Sequence, residues 1–183
     1  MMITEKAKLN VWSNKEVEMF KQEYFIDYNT VAYASSELAK KENNDCVVKA
    51  FMVALNISYV QAHTYIKEKM RRQDHKGTYT SAHARNVINK TKNGKKITFI
   101  GTHPSKAFLG TSICGTKKIL ANTQYKKPTG YTLKSFMENN PVGRFVLIVQ
   151  GHAVAVVDGV LYGNTNERYE GIYRSVWYGF EMK

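Results

Sequence analysis

Apolar residues recur at helical spacing in the first half of the chain, and apolar, β-branched and aromatic residues crowd its C-terminal part. The run over residues 45–55 is apolar on almost every side, which predicts a helix buried in the middle of a domain. Ser58 then caps a predicted helix over residues 59–72, whose apolar stripe contains Val60, Ala62, His63, Ile66 and Met70. This position favours a core histidine over a metal ligand at His63.

Shorter signals cover much of the remaining chain. Residues 24–28 are rich in aromatics and predict either a short strand or a packed connector. Helices are predicted over residues 15–22, 31–41, 80–92 and 132–139. Strands are predicted over residues 96–100, 144–150, 152–157, 160–164 and 173–181. Helices first and an antiparallel sheet last predict an α+β domain.

The helix over residues 80–92 has both of its expected boundaries in the sequence. Thr80 or Ser81 caps its start, and Gly94 ends it. The residues expected to face inward are Ala84, Val87 and Ile88.

Length and composition fit one domain with its own core. The chain has 183 residues, of which 43% are hydrophobic and 12% aromatic. With three prolines and no visible repeat, it contains no evident linker. No apolar run approaches the roughly 20 residues of a membrane span, and residues 1–10 are too charged for a signal peptide. We therefore expect a single domain over residues 1–183 that works in the cytoplasm without a membrane.

The charge of the chain raises the question of its partner. The formal net charge is +12 and the isoelectric point is near 9.6. Such a surface attracts nucleic acid or an acidic protein. No recognised nucleic-acid motif occurs and the basic runs are spread over several elements, so nucleic acid is a possible partner but not the favoured one. A protein or peptide substrate is favoured instead, with an acidic host protein as one candidate.

Cys46 and His152 form a pair typical of a reactive thiol. Asp45 is a good N-cap and would make Cys46 the first residue of the buried helix. A thiol attacks as its thiolate, and a helix N-terminus with a nearby imidazolium lowers the pKa of a cysteine from about 8.5 by several units. His152 begins a predicted strand, and its side chain would supply the imidazole. The alternative interpretation of Cys46 is a small core hydrophobe.

The second cysteine and the other histidines carry no comparable signal. Cys114 follows no predicted helix start, so we expect it to be incidental. Two cysteines make neither a disulfide scaffold nor a structural zinc site. The histidines lack the i, i+4 spacing of a paired metal site. We predict no metal and no cofactor.

Three segments resemble the papain-like cysteine peptidase superfamily, in the small forms of bacterial and bacteriophage proteins. They are Asn-Asp-Cys46-Val-Val-Lys-Ala, Gly-His152-Ala-Val-Ala-Val-Val-Asp-Gly and Val160-Leu161-Tyr162-Gly163-Asn164. The resemblance implies a papain-like α+β fold, in which a helical half carrying the nucleophile packs on a C-terminal antiparallel sheet, with the catalytic cleft between the halves. Residues 42–183 would form the catalytic core and residues 1–41 an N-terminal helical extension.

The resemblance also implies roles for individual residues. Cys46 would be the nucleophile, His152 the base and later the acid, and Asn164 or a nearby polar residue the group that orients the imidazole. A three-residue hairpin loop over residues 157–159 pairs His152 with Asn164, whereas a two-residue Asp158-Gly159 turn pairs it with Thr165. The first is favoured because an amide holds an imidazole better than a hydroxyl does. Asp158 is then a turn residue.

The oxyanion site departs from the family pattern. Papain-like enzymes usually carry a glutamine six residues before the cysteine, and this chain has Lys40 there. Asn43 or Asn44 is the expected replacement, acting together with the Cys46 amide. The walls of the cleft are expected from loops over residues 101–110 and 124–131.

The expected activity is hydrolysis of a peptide or isopeptide bond through an acyl-enzyme on Cys46. A deamidase or an acyltransferase would use the same residues, since each begins with thiolate attack on a carbonyl. The alternative from another class is a small, basic, phage-type protein without catalytic activity that binds and inhibits a host factor.

Overall fold

The computed structural model describes residues 24–31, 36–100, 131–164 and 170–183. Its helices are α1 Glu37–Lys41, α2 Cys46–Leu55, α3 Tyr59–Met70, α4 Thr80–His83 and α5 Leu133–Asn139. Its strands are β1 Phe25–Asp27, β2 Thr91–Lys92, β3 Lys95–Ile100, β4 Arg144–Val149, β5 His152–Val157, β6 Val160–Gly163 and β7 Tyr178–Met182. None of these helices is long and apolar enough to cross a membrane. The helix predicted over residues 15–22 lies outside the described residues.

The seven described strands form one sheet in the order β1-β6-β5-β4-β7-β3-β2. The mixed α+β class is therefore confirmed. Every neighbouring pair is antiparallel except β1 and β6, which run parallel. The expectation of a purely antiparallel sheet is wrong at this edge, because β1 comes from the N-terminal part of the chain and joins the sheet without a hairpin.

Apolar side chains cover both faces of this sheet. The face against α2 and α3 carries Val146, Ile148, Ala153, Ala155 and Phe180. The face against α5 carries Phe145, Leu147, Val149, Val154 and Val156. Strands covered on both faces are apolar at nearly every position, which explains why β4 and β5 do not alternate with polar residues. The helices therefore lie on both faces of a central sheet.

Local signals set the ends of α3. The Ser58 hydroxyl accepts a hydrogen bond from the Gln61 amide at 3.2 Å, and the Gln61 side chain accepts one from the Ser58 amide at 3.0 Å. This reciprocal pair is a capping box. The helix ends at Met70, two residues earlier than predicted, because Arg71 adopts left-handed backbone with φ 53°. Val60 is 51% exposed, so its placement in the apolar stripe is wrong, whereas the other four members are buried.

The helix predicted over residues 80–92 is wrong beyond its first turn. The four residues of α4 are followed by a 3₁₀ turn at Ala84–Asn86 and then by the β2–β3 hairpin. Asn89 has φ 61°, and its amide donates to the Ile97 carbonyl at 2.8 Å. Pairing with a neighbouring strand therefore satisfies backbone groups that a helix would have satisfied internally. Gly94 lies in the hairpin turn rather than at a helix end.

Other boundaries shift by smaller amounts. Residue Ser36 caps α1, which starts later than predicted, and residues 25–27 form a strand rather than a connector. β7 starts only at Tyr178, since residues 170–173 form a 3₁₀ turn. The N-cap of α4 is Tyr79, not Thr80 or Ser81. The three residues expected to face inward after Thr80 are buried as predicted: Ala84, Val87 and Ile88.

Candidate active site

Cys46 is the first residue of α2 and is partly buried. Asp45 occupies the N-cap position as predicted, but its side chain makes no capping hydrogen bond. Its buried carboxylate instead accepts a hydrogen bond from the Tyr59 hydroxyl at 2.7 Å and pairs with Lys49 Nζ at 3.1 Å. The predicted position is therefore confirmed and the predicted capping bond is wrong. The first amides of α2 therefore receive no capping bond from the Asp45 side chain.

His152 is the first residue of β5 and follows a two-residue turn. Val149 pairs with His152 across this turn, and Gly151 adopts φ 69°, a conformation that favours glycine. The imidazole contacts the first residue after β6, since Asn164 Nδ2 lies 3.3 Å from His152 Nε2. The structure therefore brings together the histidine and the amide that the sequence paired.

The register of the β5–β6 hairpin explains this contact in a different way from the sequence argument. Val157 pairs with Val160, so the turn has two residues and the three-residue loop is wrong. Asp158 and Gly159 have φ 48° and 79°, as a type I′ turn requires. In this register Asn164 is not the residue opposite His152, and residue 165, the other candidate, lies outside the described residues. Asn164 reaches the imidazole because β6 ends at residue 163 and Asn164 has left the ladder.

Asp158 is a turn residue, as predicted. Its side chain accepts a hydrogen bond from the Gly143 amide at 3.0 Å. The turn lies at the opposite end of β5 from His152, so Asp158 is remote from the imidazole.

A single cavity of about 860 Å³ holds both Cys46 and His152 on its walls. The walls come from the first turn of α2, the segment over residues 71–81, the turn between β4 and β5, and the start of β7. The aromatic part of the wall is formed by Trp177, Tyr178 and Tyr79. A cavity of this size is typical of a site for a small ligand or a short peptide segment.

The segment over residues 71–81 is a wall that sequence patterns do not identify. Its first residues, Arg71-Arg72-Gln73-Asp74-His75-Lys76, are all polar and are typical of a solvated connection. The loops expected to form walls, residues 101–110 and 124–131, lie outside the described residues except for Tyr131, which does not line the cavity. A hydrogen bond of 2.6 Å between the hydroxyls of Thr80 and Tyr178 attaches the end of the segment to β7.

A buried ionic cluster attaches the same segment to the residues before Cys46. Arg72 Nη2 donates to Glu42 Oε2 at 2.6 Å and to the Asn43 carbonyl at 3.2 Å, and the Arg72 and Glu42 side chains are only 0% and 2% exposed. His63 Nε2 lies 3.1 Å from Arg72 Nη1 and 3.3 Å from Glu42 Oε1. The His75 amide also donates to Glu42 Oε2, at 3.0 Å. The cluster therefore holds the cavity wall against the start of α2.

Charge in this cluster favours the ionised form of Glu42. Burial by itself raises the pKa of the Glu42 carboxyl. Hydrogen bonds from Arg72, the His75 amide and His63, together with the Arg72 charge, outweigh burial and hold this pKa below its usual value. Glu42 is therefore an anion at neutral pH, matched by the guanidinium of Arg72.

Three ligand-type side chains also meet in this cluster. Glu42, His63 and Asp74 bring ligand atoms within 4.8 Å of one another, a spacing that a metal ion requires. They come from three separate segments, so sequence spacing does not reveal them. Arg72 already lies between two of these groups, and Lys67 Nζ lies 2.7 Å from Asp74 Oδ2. Because both cations would repel a metal ion, we interpret the group as an ion-pair cluster.

Neither Asn43 nor Asn44 is among the described residues that line the cavity. Asn44 Nδ2 instead donates to the His75 carbonyl and to Asn43 Oδ1, both at 3.3 Å. Lys40, at the position of the family glutamine, forms an exposed ion pair with Glu37. The carboxamide that does stand on the described part of the wall belongs to Gln73, which no local motif marks.

These residues form a constellation suited to acyl transfer. A thiol at a helix N-terminus and an imidazole held by an amide line the same cavity. A thiol and a nearby base are the two groups that nucleophilic attack on a carbonyl needs. Comparison of the chain with protein-family models, with curated proteins and with solved structures gave no match. The function is therefore inferred from the geometry of the site.

Replacing Asn164 by alanine should lower the reactivity of the site without unfolding it. The amide contacts His152 Nε2, and a misoriented base costs up to about a hundredfold in rate. We expect alkylation of Cys46 by iodoacetamide at pH 6 to slow by less than in a His152→Ala variant, and peptide turnover to fall by roughly tenfold to a hundredfold. Asn139→Ala, on α5 outside the cavity, is the matched control. Equal alkylation and turnover rates in Asn164→Ala and in the Asn139→Ala control would show that Asn164 has no role in the site.

Proposed function

We propose that this protein is a papain-like thiol hydrolase that cleaves a peptide or isopeptide bond through an acyl-enzyme on Cys46. The observation that supports the proposal is the shared cavity. Cys46 begins a helix, His152 begins a strand, and both residues line the same cavity. The amide of Asn164 on His152 Nε2 supports it further, since an oriented imidazole is the base that a thiol nucleophile requires.

The first half of the reaction uses the thiol as a thiolate and the imidazole as an imidazolium. Cys46 Sγ attacks the carbonyl carbon, and the electrons of the carbonyl π bond move to its oxygen. As this oxygen re-forms the double bond, the carbon–nitrogen bond breaks and His152 transfers its proton to the leaving amine. A thioester on Cys46 and a neutral imidazole result.

The second half reverses these roles with water. The neutral imidazole removes a proton from water, and the resulting hydroxide equivalent attacks the thioester carbon. The carbon–sulfur bond breaks, Cys46 leaves as a thiolate, and the imidazolium is restored. An amine in place of water would make the same residues an acyltransferase, and a glutamine side chain as the substrate would make them a deamidase.

Three groups assist these steps in the proposal. An imidazolium donates from both ring nitrogens, so a half-turn of the Asn164 amide would present Oδ1 to accept from Nε2–H. The Cys46 amide at the start of α2 and the carboxamide of Gln73 would stabilise the oxyanion, in place of Asn43 and Asn44. Gln73 therefore takes the role that a glutamine ahead of the cysteine has in the family.

The proposal is tested by digesting a defined peptide mixture with the wild-type protein and with Cys46→Ala, and reading products by mass spectrometry. We expect new termini and a transient acyl adduct on the Cys46 peptide in the wild type, and neither in the variant. A gain of about 1 Da on glutamine without chain cleavage would identify deamidation by the same pair. Equal product in both proteins, or no product and no adduct in the wild type, would overturn the proposal.

A further inference from the structure

Two cations without ion-pair partners among the described residues line the cavity that holds Cys46. They are Arg71 and Lys76, and both are exposed. Their neighbours differ, since Arg72 pairs with Glu42 and Lys67 pairs with Asp74. The described lining residues include no Asp and no Glu. Among the described lining residues, Arg71 and Lys76 therefore contribute positive charge and no carboxylate contributes negative charge.

Arg71 occupies a backbone position that favours a different residue. It ends α3 in left-handed backbone with φ 53°, where glycine or asparagine is usual. Asn56 ends α2 in the same conformation, with φ 55°. The positive charge of Arg71 suits the C-terminal end of α3, whereas its side chain is unusual for left-handed backbone.

The rest of the wall beside these cations is apolar and aromatic. Val47 and Ile148 contribute aliphatic surface, and Trp177 and Tyr178 contribute rings. Low-dielectric walls strengthen the attraction between a cation and an anion in the space between them. The cavity thus combines apolar and aromatic surface with the two cations Arg71 and Lys76.

We propose that the cavity binds an acidic peptide segment, in which Asp or Glu side chains pair with Arg71 and Lys76 beside the bond that Cys46 attacks. The proposal rests on the proposed function for the identity of the attacked bond. Its electrostatic part stands independently, because it concerns the charge around the Cys46 thiol. Arg71 and Lys76 are substrate-binding residues in this account, and Cys46 and His152 remain the catalytic ones.

A peptide fits these observations better than a nucleic acid does. Nucleic-acid binding draws on several phosphate contacts along a positive stripe. Here the two cations lie at one cavity, and the remaining wall is suited to side chains rather than to a phosphate backbone. A short acidic peptide needs only one or two such pairs together with apolar contact.

The test compares two reagents that modify Cys46 with opposite charges. Anionic sulfonatoethyl and cationic trimethylammonioethyl methanethiosulfonate each form a mixed disulfide with the thiolate and release methanesulfinate. Coulomb's law gives a change of about twofold or more in the anion-to-cation rate ratio for each cation within about 15 Å of a thiol, even in water. We therefore expect a ratio well above that of free cysteine in the wild type, falling by about twofold or more in Arg71→Gly and in Lys76→Gln, and further in the double variant.

The variants separate charge from folding. Arg71→Gly suits left-handed backbone, so its melting temperature should equal or exceed that of the wild type while the ratio falls. Arg71→Lys keeps the positive charge and should therefore keep the anion-to-cation rate ratio of the wild type. Lys90→Gln removes an exposed lysine that does not line the cavity, and should leave the ratio unchanged. Raising the salt from about 0.01 M to about 1 M should abolish the excess, because the Debye length falls from about 30 Å to about 3 Å.

Protection of Cys46 identifies the occupant. A glutamate-rich decapeptide should slow modification by the neutral reagent methyl methanethiosulfonate in the wild type, and should protect the double variant much less. A wild-type ratio equal to that of free cysteine, or one unchanged in the double variant, overturns the proposal. Stronger protection by an oligonucleotide of equal charge also overturns it. If the acidic peptide protects Cys46 but the protein cleaves no peptide, the result would contradict the proposed function and leave the binding proposal intact.

Discussion

Replacing His152 by alanine is expected to slow alkylation of Cys46 by iodoacetamide about tenfold at pH 6. An ordinary thiol with a pKa of about 8.5 is only roughly 0.3% ionised at that pH, whereas a thiolate paired with an imidazolium stays ionised. A stabilised thiolate is also a weaker nucleophile, by about thirtyfold, so the net loss is smaller than the loss of thiolate. Peptide turnover should fall further, by roughly a hundredfold to ten-thousandfold, because the general acid and base is lost.

The measurement is the alkylation rate against pH, read at each cysteine by mass spectrometry. In His152→Ala the rate should rise with pH as it does for an ordinary thiol, while the wild type reacts well below pH 7. His83→Ala is the matched control, since His83 does not line the cavity and its replacement should leave the profile unchanged. The chain's second cysteine, Cys114, provides an internal reference. Superimposable profiles for wild type and His152→Ala would contradict the thiolate–imidazolium pair.

Replacing Arg72 by methionine is expected to lower the free energy of unfolding by about 3–5 kcal/mol at neutral pH. The substitution leaves the carboxylate of Glu42, which is 2% exposed, without its guanidinium partner. Denaturant unfolding measures the loss. Lys67→Met is the matched control, because it removes an exposed pair with Asp74 and should cost no more than about 1 kcal/mol. A loss in Arg72→Met as small as in the control would show that the buried cluster does not stabilise the fold.

The pH dependence of this loss follows from the direction of the Glu42 pKa shift. In the wild type the folded-state pKa lies below the unfolded value, so the stabilisation is present above about pH 4.5 and is lost as the pH falls through the folded pKa. Without Arg72 the largest remaining cause is burial, which raises the pKa and makes the anion unfavourable. The cost of Arg72→Met should therefore shrink between pH 7 and pH 4.

A double variant tests whether the cost comes from an unpaired charge. Glu42→Gln with Arg72→Met removes both charges, and it should recover about half of the loss of the single variant. Each single replacement leaves a buried ion alone, whereas the double replacement leaves none. No recovery at neutral pH would indicate that packing of the Arg72 side chain, rather than its charge, stabilises the cluster.

The helices and strands differ in how well local signals predict them. α2 and α3 are predicted nearly to their ends, because an apolar run and a Ser58 capping box act within a few residues. The prediction of a helix over residues 80–92 is wrong because Asn89 and the residues after it form hydrogen bonds with a neighbouring strand, and local sequence patterns do not report that pairing. The same limit applies to the register of the β5–β6 hairpin. Pairing of Val157 with Val160 and the left-handed backbone at Asp158 define that register in the folded chain.

The sequence by itself determined the chemistry that is available: a cysteine at the start of a buried helix, a histidine at the start of a strand, and an amide after the next strand. These are local properties, set by apolar periodicity and by turn residues. Only the tertiary structure decided which distant groups meet. The burial of Arg72 with Glu42 and His63, and the position of Arg71, Gln73 and Lys76 on the cavity wall, depend on how α2, α3 and the sheet pack. Contacts between residues far apart in the chain leave no periodic signal, because packing rather than spacing creates them.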